Sequence, residues 1–190
     1  WNLKGREGED IPVWVYTNCE EVELFYNGES QGRKQIEKDG HGEWTLVYAP
    51  GEVSCKGYIG GKEVASDRVA TTGKPVALKL EMQTEALFAS KWDCAVVHCY
   101  CVDENGNKVP DAAPMVHFNC TPNGFIRGTG SDIADHTSLA CADRKMRAGV
   151  IAACIHSNGT EGILKVYAHA DGLESARLEI EVTQPNDKIR

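Results

Sequence analysis

Cysteine and histidine side chains crowd into one short segment that contains Cys94, His98, Cys99 and Cys101. Thiolates and imidazoles are the usual zinc ligands, so the segment raises the hypothesis of a metal site. The surrounding residues predict a β-strand, however, and side chains on a strand alternate between its two faces. Cys99 and Cys101 would face one way while Cys94 and His98 face the other, so the four side chains could not surround one ion. We therefore expect small residues that pack on a core face, and we predict neither a metal site nor a cofactor.

A second group of reactive side chains contains Asp132, Asp135 and His136, within a segment, 131–147, that shows no strand pattern. A carboxylate beside a histidine can orient the imidazole as a base. No serine or cysteine elbow accompanies these residues, and the scattered acids do not form the carboxylate pair, about 5–10 Å apart, that glycosidases use. Long loops are often functional, so the three residues are candidates for ligand contact. A solvated loop is the alternative.

Four tryptophans offer flat apolar rings on which a sugar can stack. Trp14 and Trp44 fall within predicted strands, where core packing is the commoner role, and we expect both to be buried. Trp1 precedes the first strand, and we expect it to pack against a domain upstream of this chain. Trp92 lies outside the predicted strands and joins the three loop residues as a candidate for carbohydrate contact.

Charge and composition narrow the classes of partner. The 190 residues are 42% hydrophobic and 25% charged, with a formal net charge of -8; residues 1–74 hold 9 basic and 13 acidic groups, and residues 75–190 hold 11 and 15. Nucleic-acid binding needs a basic stripe, and a membrane span needs roughly 18 apolar residues in a row. The sequence has neither pattern, so we expect no nucleic-acid partner and no membrane insertion. For the eight cysteines we expect free buried thiols, with one or two disulfide bridges as the alternative.

The elements that position these side chains are predicted to be strands throughout. Short alternating runs rich in Val, Ile, Tyr and Trp are separated by Gly, Asn and Pro, and no segment keeps a helical apolar period for three turns. The predicted strands are 11–16, 22–26, 31–37, 43–48, 53–59, 62–71, 76–81, 94–103, 116–120, 150–156, 162–168 and 177–183.

Turn residues divide these strands into hairpins and domains. Asn27-Gly28 and Gly60-Gly61 supply the positive φ angles that tight hairpin turns need. The segment 71–75 breaks the strand pattern with small residues and a proline, which marks an exposed connection. The sequence therefore predicts an all-β protein of two tandem immunoglobulin-like β-sandwich domains, 1–74 and 75–184, with a tail at 185–190.

Five stretches of the first half carry a family pattern: WNLKGREG at 1–8, IPVWVYTNC at 11–19, EVELFYNG at 21–28, YAPG at 48–51 and GKEVA at 61–65. Together they resemble a domain that follows the catalytic barrel in many family 2 glycoside hydrolases. The resemblance covers nearly all of the first predicted domain.

Two stretches of the second half, VDENGNKVP at 102–110 and AHADGL at 168–173, resemble the immunoglobulin-like domain that comes next in those enzymes. The family's loop after Gly128 reads Gly-x-Gly-Asp with a proline and a histidine soon after. Here Ser131 separates the second glycine from Asp132, and no proline precedes His136. The resemblance therefore implies the same domain with an altered loop.

The resemblance implies that the chain is the non-catalytic C-terminal accessory region of a β-galactosidase-like enzyme of carbohydrate degradation, whose two catalytic glutamates lie upstream. It implies the upstream catalytic domains as partners, a glycan as a further partner, and a periplasmic or outer-surface location. Two alternatives stay open. One is a carbohydrate-binding module that holds polymeric substrate, and the other is a cell-surface spacer or adhesion repeat unrelated to glycosidases.

Overall fold

The protein is a chain of β-strands that divides into two compact units. The computed structural model describes residues 1–185, so the predicted tail lies outside the described residues apart from its first position. Unit 1 is Trp1–Thr72 and unit 2 begins at Gly73. The described residues form fifteen strands and no helix, and therefore contain no helix long and apolar enough to cross a membrane. The predicted fold class, all-β with two tandem β-sandwiches, is confirmed.

Unit 1 contains six strands in two sheets. The strands are β1 (Asp10–Tyr16), β2 (Glu21–Tyr26), β3 (Glu29–Gln35), β4 (His41–Val47), β5 (Glu52–Ile59) and β6 (Lys62–Ala70). One sheet pairs β1 with β4, and the other has the order β3-β2-β5-β6; every pairing is antiparallel. Positive φ angles at Asn27 (49°), Gly28 (82°), Gly60 (56°) and Gly61 (77°) close the β2–β3 and β5–β6 hairpins, as the sequence predicts.

The core of unit 1 follows from period-two alternation on these strands. Its buried members are Val22, Leu24, Trp44, Leu46 and Val53. On β4 the buried Trp44 and Leu46 alternate with exposed residues, so one face of each sheet is apolar and meets the other sheet. Burial of this apolar surface stabilises the unit.

The described part of unit 2, up to residue 185, contains nine strands in two sheets. The strands are β7 (Ala77–Met82), β8 (Leu87–Phe88), β9 (Cys94–Val102), β10 (Met115–Cys120), β11 (Gly124–Gly130), β12 (Asp143–Lys145), β13 (Val150–Ser157), β14 (Gly162–His169) and β15 (Ala176–Thr183). The sheet orders are β12-β10-β14-β15-β8 and β11-β13-β9-β7. All pairings are antiparallel except that of β15 with β8.

The core of unit 2 lies between these two sheets. On β9, Ala95, Val97, Cys99 and Cys101 are fully buried, while Cys94, His98 and Tyr100 lie on the half-buried outer face. The predicted alternation is confirmed, and it places Cys99 and Cys101 in the core as small apolar groups.

Three strands of unit 2 are absent from the sequence-based list: β8, β11 and β12. β11 has the sequence GFIRGTG, whose glycines disfavour a strand by propensity. Gly128 is required for packing, since a Cβ there would lie 2.4 Å from the backbone oxygen of Leu139. β12 falls inside 131–147, so this segment is not wholly a loop: its last part pairs with β10.

Candidate ligand surfaces

An exposed group of aromatic rings lies on the outer face of the two-stranded sheet of unit 1. The aromatic face, as we call it, consists of Trp14 and Tyr16 on β1 and His41 on β4, and Tyr16 pairs directly with His41. Both Trp14 and Tyr16 are more than half exposed. The His41 ring centroid lies 5.1 Å from each of the other two, and the Trp14 and Tyr16 rings meet edge to face at 6.4 Å. The prediction that Trp14 is buried is wrong.

Two cavities flank the aromatic face. One, of about 350 Å³, is bordered by Trp14, Tyr16, Asp67 and Arg68, and also by residues of the core, among them Val13, Val15, Leu24 and Val53. The other, of about 430 Å³, has mainly polar borders that include Gln31, Lys34 and Glu43. Protein sites for sugars combine an aromatic surface for the C–H face with polar groups for the hydroxyls. Unit 1 presents both within one region.

The other two tryptophans of unit 1 are structural. Trp44 is buried, as predicted, and its indole N–H donates a hydrogen bond to the backbone oxygen of Gln31 at 3.1 Å. Trp1 contacts Tyr26 and Tyr48 edge to face, with ring centroids 6.3 and 5.3 Å away. Trp1 therefore packs against unit 1 and remains half-buried, and the expected contact with a domain outside this chain stays a prediction.

The segment 131–147 is organised around one buried arginine. The Arg144 side chain is 1% exposed, and its Nη1 bonds the Asp135 carboxylate at 2.7 Å. Its Nε and Nη2 donate to the hydroxyl and backbone oxygen of Thr129 at 3.2 and 2.8 Å, and Nη2 also donates to the backbone oxygen of Ser138. These bonds fix the segment against β11. No residue pattern distinguishes Arg144 from surface arginines, and the sequence analysis missed it.

Among the predicted contact residues of this segment, Asp135 differs from its neighbours. Hydrogen bonds from the hydroxyl and backbone amide of Thr137, and then from Arg144, hold the pKa of the Asp135 carboxyl well below its usual range. Its oxygens are engaged within the protein, so Asp135 shapes the loop. Asp132 and His136 are exposed, although the Asp132 carboxylate accepts a backbone hydrogen bond from Ala134 at 2.5 Å.

Trp92 is 93% exposed and lies in the turn before β9. β9 begins at Cys94, beside His156 near the end of β13, whereas β11 ends at Gly130, beside Ala152 near the start of β13. Trp92 and the segment 131–147 therefore leave this sheet from opposite ends. Asp132, Asp135 and His136 thus lie together in their segment, and Trp92 lies at the other end of the sheet, away from them.

A cluster of potential metal ligands lies on the outer face of the same sheet. Cys94, on β9, is the cross-strand neighbour of His156, on β13, and Cys154 points to the same face two residues before His156. The two Sγ atoms and a His156 ring nitrogen all lie within 4.8 Å of one another. Burial and the adjacent Cys94 thiol raise the pKa of Cys154 to about 11.

The sequence analysis missed this cluster because two of its members lie about 60 residues from the first. The neighbours of Cys94 along the chain, His98 and Cys99, lie on opposite faces of β9, as predicted. The missing signal is the register of β9 against β13, which no local pattern specifies. All eight cysteines are free thiols; Cys19, Cys99 and Cys101 are buried and the other five are half-buried.

Carboxylates are sparse in the described cavities. The cavity beside Trp14 and Tyr16 has Asp67 as its single acidic group, and the polar cavity has Glu43. A third cavity, of about 430 Å³ on the outer face of the β11–β13–β9 sheet, is bordered mostly by small apolar residues, with Cys154 and Arg127 and no acid. None of these three cavities contains the pair of carboxylates that hydrolysis of a glycoside requires.

Two family models together match most of the chain. Residues 8–65 match a domain of unknown function, DUF4982, and residues 78–179 match the model described as glycoside hydrolase family 2 C-terminal domain 5. The second match alone covers more than half of the chain.

Individual relatives agree with these models. The chain is 36% identical, over 95% of its length, to the β-galactosidase BoGH2A of Bacteroides ovatus, of which it spans 21%. A crystal structure of a β-glycosidase from Bacteroides vulgatus matches 96% of the chain with a TM-score of 0.87 and 26% identity, over 24% of that protein. A family 2 glycosyl hydrolase from Bacteroides cellulosilyticus matches 95% with a TM-score of 0.81 and 30% identity, over 25% of its length. The chain thus spans about a quarter or less of each of these relatives.

Proposed function

The chain belongs to glycoside hydrolase family 2, as a C-terminal region of a β-galactosidase- or β-glucuronidase-like enzyme, and from this premise we propose that it is a non-catalytic accessory region. The two sandwiches would support or extend the catalytic domains of the same polypeptide. Those domains are the proposed partner of the chain. The cell-surface spacer unrelated to glycosidases has no support once the family is established.

The observation that carries this proposal is the distribution of carboxylates. Retaining and inverting glycosidases both need two carboxyl groups on opposite sides of one sugar-sized space. The cavity beside the aromatic face and the polar cavity each have one acidic border residue, Asp67 and Glu43 respectively. The Asp135 carboxylate is occupied by Thr137 and Arg144. These facts support a region that contributes surface and rigidity while the chemistry takes place elsewhere.

The test uses the full-length gene product and a small chromogenic β-galactoside or β-glucuronide. We expect Asp67→Asn and Glu43→Gln to leave kcat and KM within about twofold of wild type, because neither carboxylate touches the reacting sugar. Removal of a catalytic acid typically lowers the rate by 10²-fold or more, so the two outcomes are well separated. A loss of that size in either variant, with unchanged thermal stability, would show that the region takes part in catalysis.

A second candidate function is carbohydrate contact, and the aromatic face favours it. Trp14 and Tyr16 are 54% and 70% exposed. Adjacent large apolar rings on a solvent-facing surface often mark a site for a ligand or a partner. Polar groups for sugar hydroxyls, among them Glu43 and Gln31, border a cavity that Trp14 also lines. In this proposal the accessory region holds a polymeric glycan near the catalytic domains.

Calorimetric titration of the chain with galactoside oligomers and with plant and host polysaccharides tests this candidate. We expect saturable binding that Trp14→Ala and Tyr16→Ala each weaken by about fivefold or more, because stacking on one ring contributes about 1 kcal/mol or more. Trp92→Ala, another exposed tryptophan, is the matched control. Loss of binding in Trp92→Ala, Asp132→Ala or His136→Ala alone would instead assign the contact to the residues predicted from the sequence.

We further propose that the protein acts in the periplasm or on the outer surface, where polymeric glycans are accessible. The family resemblance supports this location. The eight free thiols argue against this location, because oxidising compartments favour disulfides. Fractionation of the native organism, followed by thiol counting on the purified protein, measures both properties at once.

A further inference from the structure

Three side chains outside the surfaces described for sugars converge on the outer face of the β11–β13–β9–β7 sheet. Cys94, Cys154 and His156 are half-buried, and each offers one ligand atom that lies within 4.8 Å of the other two. We propose that these three residues form a binding site for a divalent cation of the zinc type. The proposal is independent of the accessory function and concerns unit 2 alone.

The strand register places the three ligands without any loop. Cys94 and His156 are directly opposed across the β9–β13 ladder, and Cys154 is the next residue on the same face of β13. On one face of a sheet, residues that lie directly opposite each other on neighbouring strands have the closest side chains. Both strands are central in their sheet, with β11 and β7 outside them. The backbone that carries the ligands is therefore fixed.

The distances suit a tetrahedral ion. With zinc–sulfur bonds of about 2.3 Å and zinc–nitrogen bonds of about 2.0 Å, ligand atoms in a tetrahedron lie about 3.5–3.8 Å apart. The three ligand atoms lie within 4.8 Å of one another. Closure by about 1 Å is within the reach of side-chain rotation, so no strand needs to move.

Charge also suits a divalent ion. Two thiolates and one neutral imidazole would bring two negative charges, which one divalent cation neutralises, and binding would release the two thiol protons. Without a cation, two adjacent thiolates on a half-buried surface would repel each other. The ligand set of two sulfurs and one imidazole selects zinc-like ions over Mg²⁺ and Ca²⁺, which prefer oxygen.

Three protein ligands leave one coordination position for water or for an external ligand. Cys154 also borders the apolar cavity of about 430 Å³ that Gly128, Ala140 and Leu139 help to form. Solvent and small molecules in that cavity would reach a metal bound by Cys154 from one side. The Phe125 ring packs against His156 at 5.4 Å and limits the rotation of the imidazole.

Co²⁺ is the probe for the site, because tetrahedral thiolate-bound Co²⁺ has strong visible and near-ultraviolet absorption. The reduced 190-residue protein is titrated with Co²⁺, and the bound Co²⁺ is then displaced with Zn²⁺. We expect one equivalent of tetrahedral Co²⁺ with a sulfur-to-cobalt charge-transfer band, which one equivalent of Zn²⁺ removes. Mg²⁺ in large excess should leave the band in place.

Substitutions locate the binding. Cys154→Ser and His156→Ala should each weaken binding by more than about 100-fold, since even residues that only orient a ligand contribute 10- to 100-fold. Cys120→Ser, a half-buried cysteine of the other sheet, and Cys55→Ser of unit 1 are matched controls and should bind as wild type does. Circular dichroism checks that each variant is folded. If His156→Ala does not fold, His156→Gln takes its place.

The proposal is overturned if the reduced wild-type protein gives no tetrahedral spectrum. It is equally overturned if the spectrum survives in a folded Cys154→Ser protein, or if it disappears in Cys55→Ser.

Discussion

Arg144→Met removes the buried cation that organises the segment 131–147. The Arg144 side chain is 1% exposed and its partner Asp135 is 8% exposed, so the substitution leaves a carboxylate without its counter-charge. It also removes the hydrogen bonds to the hydroxyl and backbone oxygen of Thr129, a residue that is itself buried. Loss of one partner from a buried pair costs about 3–5 kcal/mol. At about 4 °C per kcal/mol for a domain near 100 residues, unit 2 should lose about 12–20 °C of thermal stability.

Differential scanning calorimetry of the chain measures this shift, and hydrogen exchange assigns it to unit 2. Arg147→Met is the matched control, since Arg147 ends the same segment with an exposed side chain, and it should change stability by less than about 0.5 kcal/mol. In the Arg144→Met background, Asp135→Ala should cost less than it does in wild type, because the ion pair is already broken and only the Thr137 hydrogen bonds remain to be lost. Equal shifts in Arg144→Met and Arg147→Met would refute the role assigned to the buried guanidinium.

Three further predictions concern packing, backbone and pH. Trp44→Ala should destabilise unit 1 by about 3–5 kcal/mol in denaturant unfolding, and Trp14→Ala by less than about 0.5, because only Trp44 is buried; equal losses would contradict the assignment. Gly149→Ala should destabilise unit 2 far more than Gly106→Ala by the same measurement. Both have positive φ, at a cost of about 1–2 kcal/mol, but only at Gly149 does a Cβ meet backbone, at 2.1 Å. The depressed pKa of Asp135 stabilises the folded state above about pH 4 and this contribution is lost as the pH falls. Wild type should therefore lose more stability between pH 5 and pH 2 than Asp135→Asn, and parallel curves would rule this out.

The positions of most strands, and the faces of their buried residues, were predictable because they depend on local alternation. On β9 the faces of Cys99 and Cys101 followed from period two alone. On β1 the same rule was insufficient, because residues of both phases are apolar in IPVWVY. Val13 and Val15 face the core, so Trp14 points outward. The position of the partner sheet decides which of the two alternating sets of side chains is buried.

The candidate sites depend on contacts between distant parts of the chain, which local patterns do not encode. Cys154 and His156 join Cys94 only through the β9–β13 register. Arg144 also bonds Thr129 of β11, 15 residues away, and the segment passes so close to β11 that a Cβ at Gly128 would lie 2.4 Å from the backbone oxygen of Leu139. The glycines that allow this approach also concealed β11 from a propensity-based prediction.

The most direct test of the central claim is a hydrolysis assay on the isolated 190-residue protein, with chromogenic β-galactosides and β-glucuronides at high protein concentration. The account predicts no release of chromophore above buffer, since the described cavities lack a carboxylate pair. Release that scales with protein concentration and disappears in Asp67→Asn or Glu43→Gln would contradict a non-catalytic accessory role.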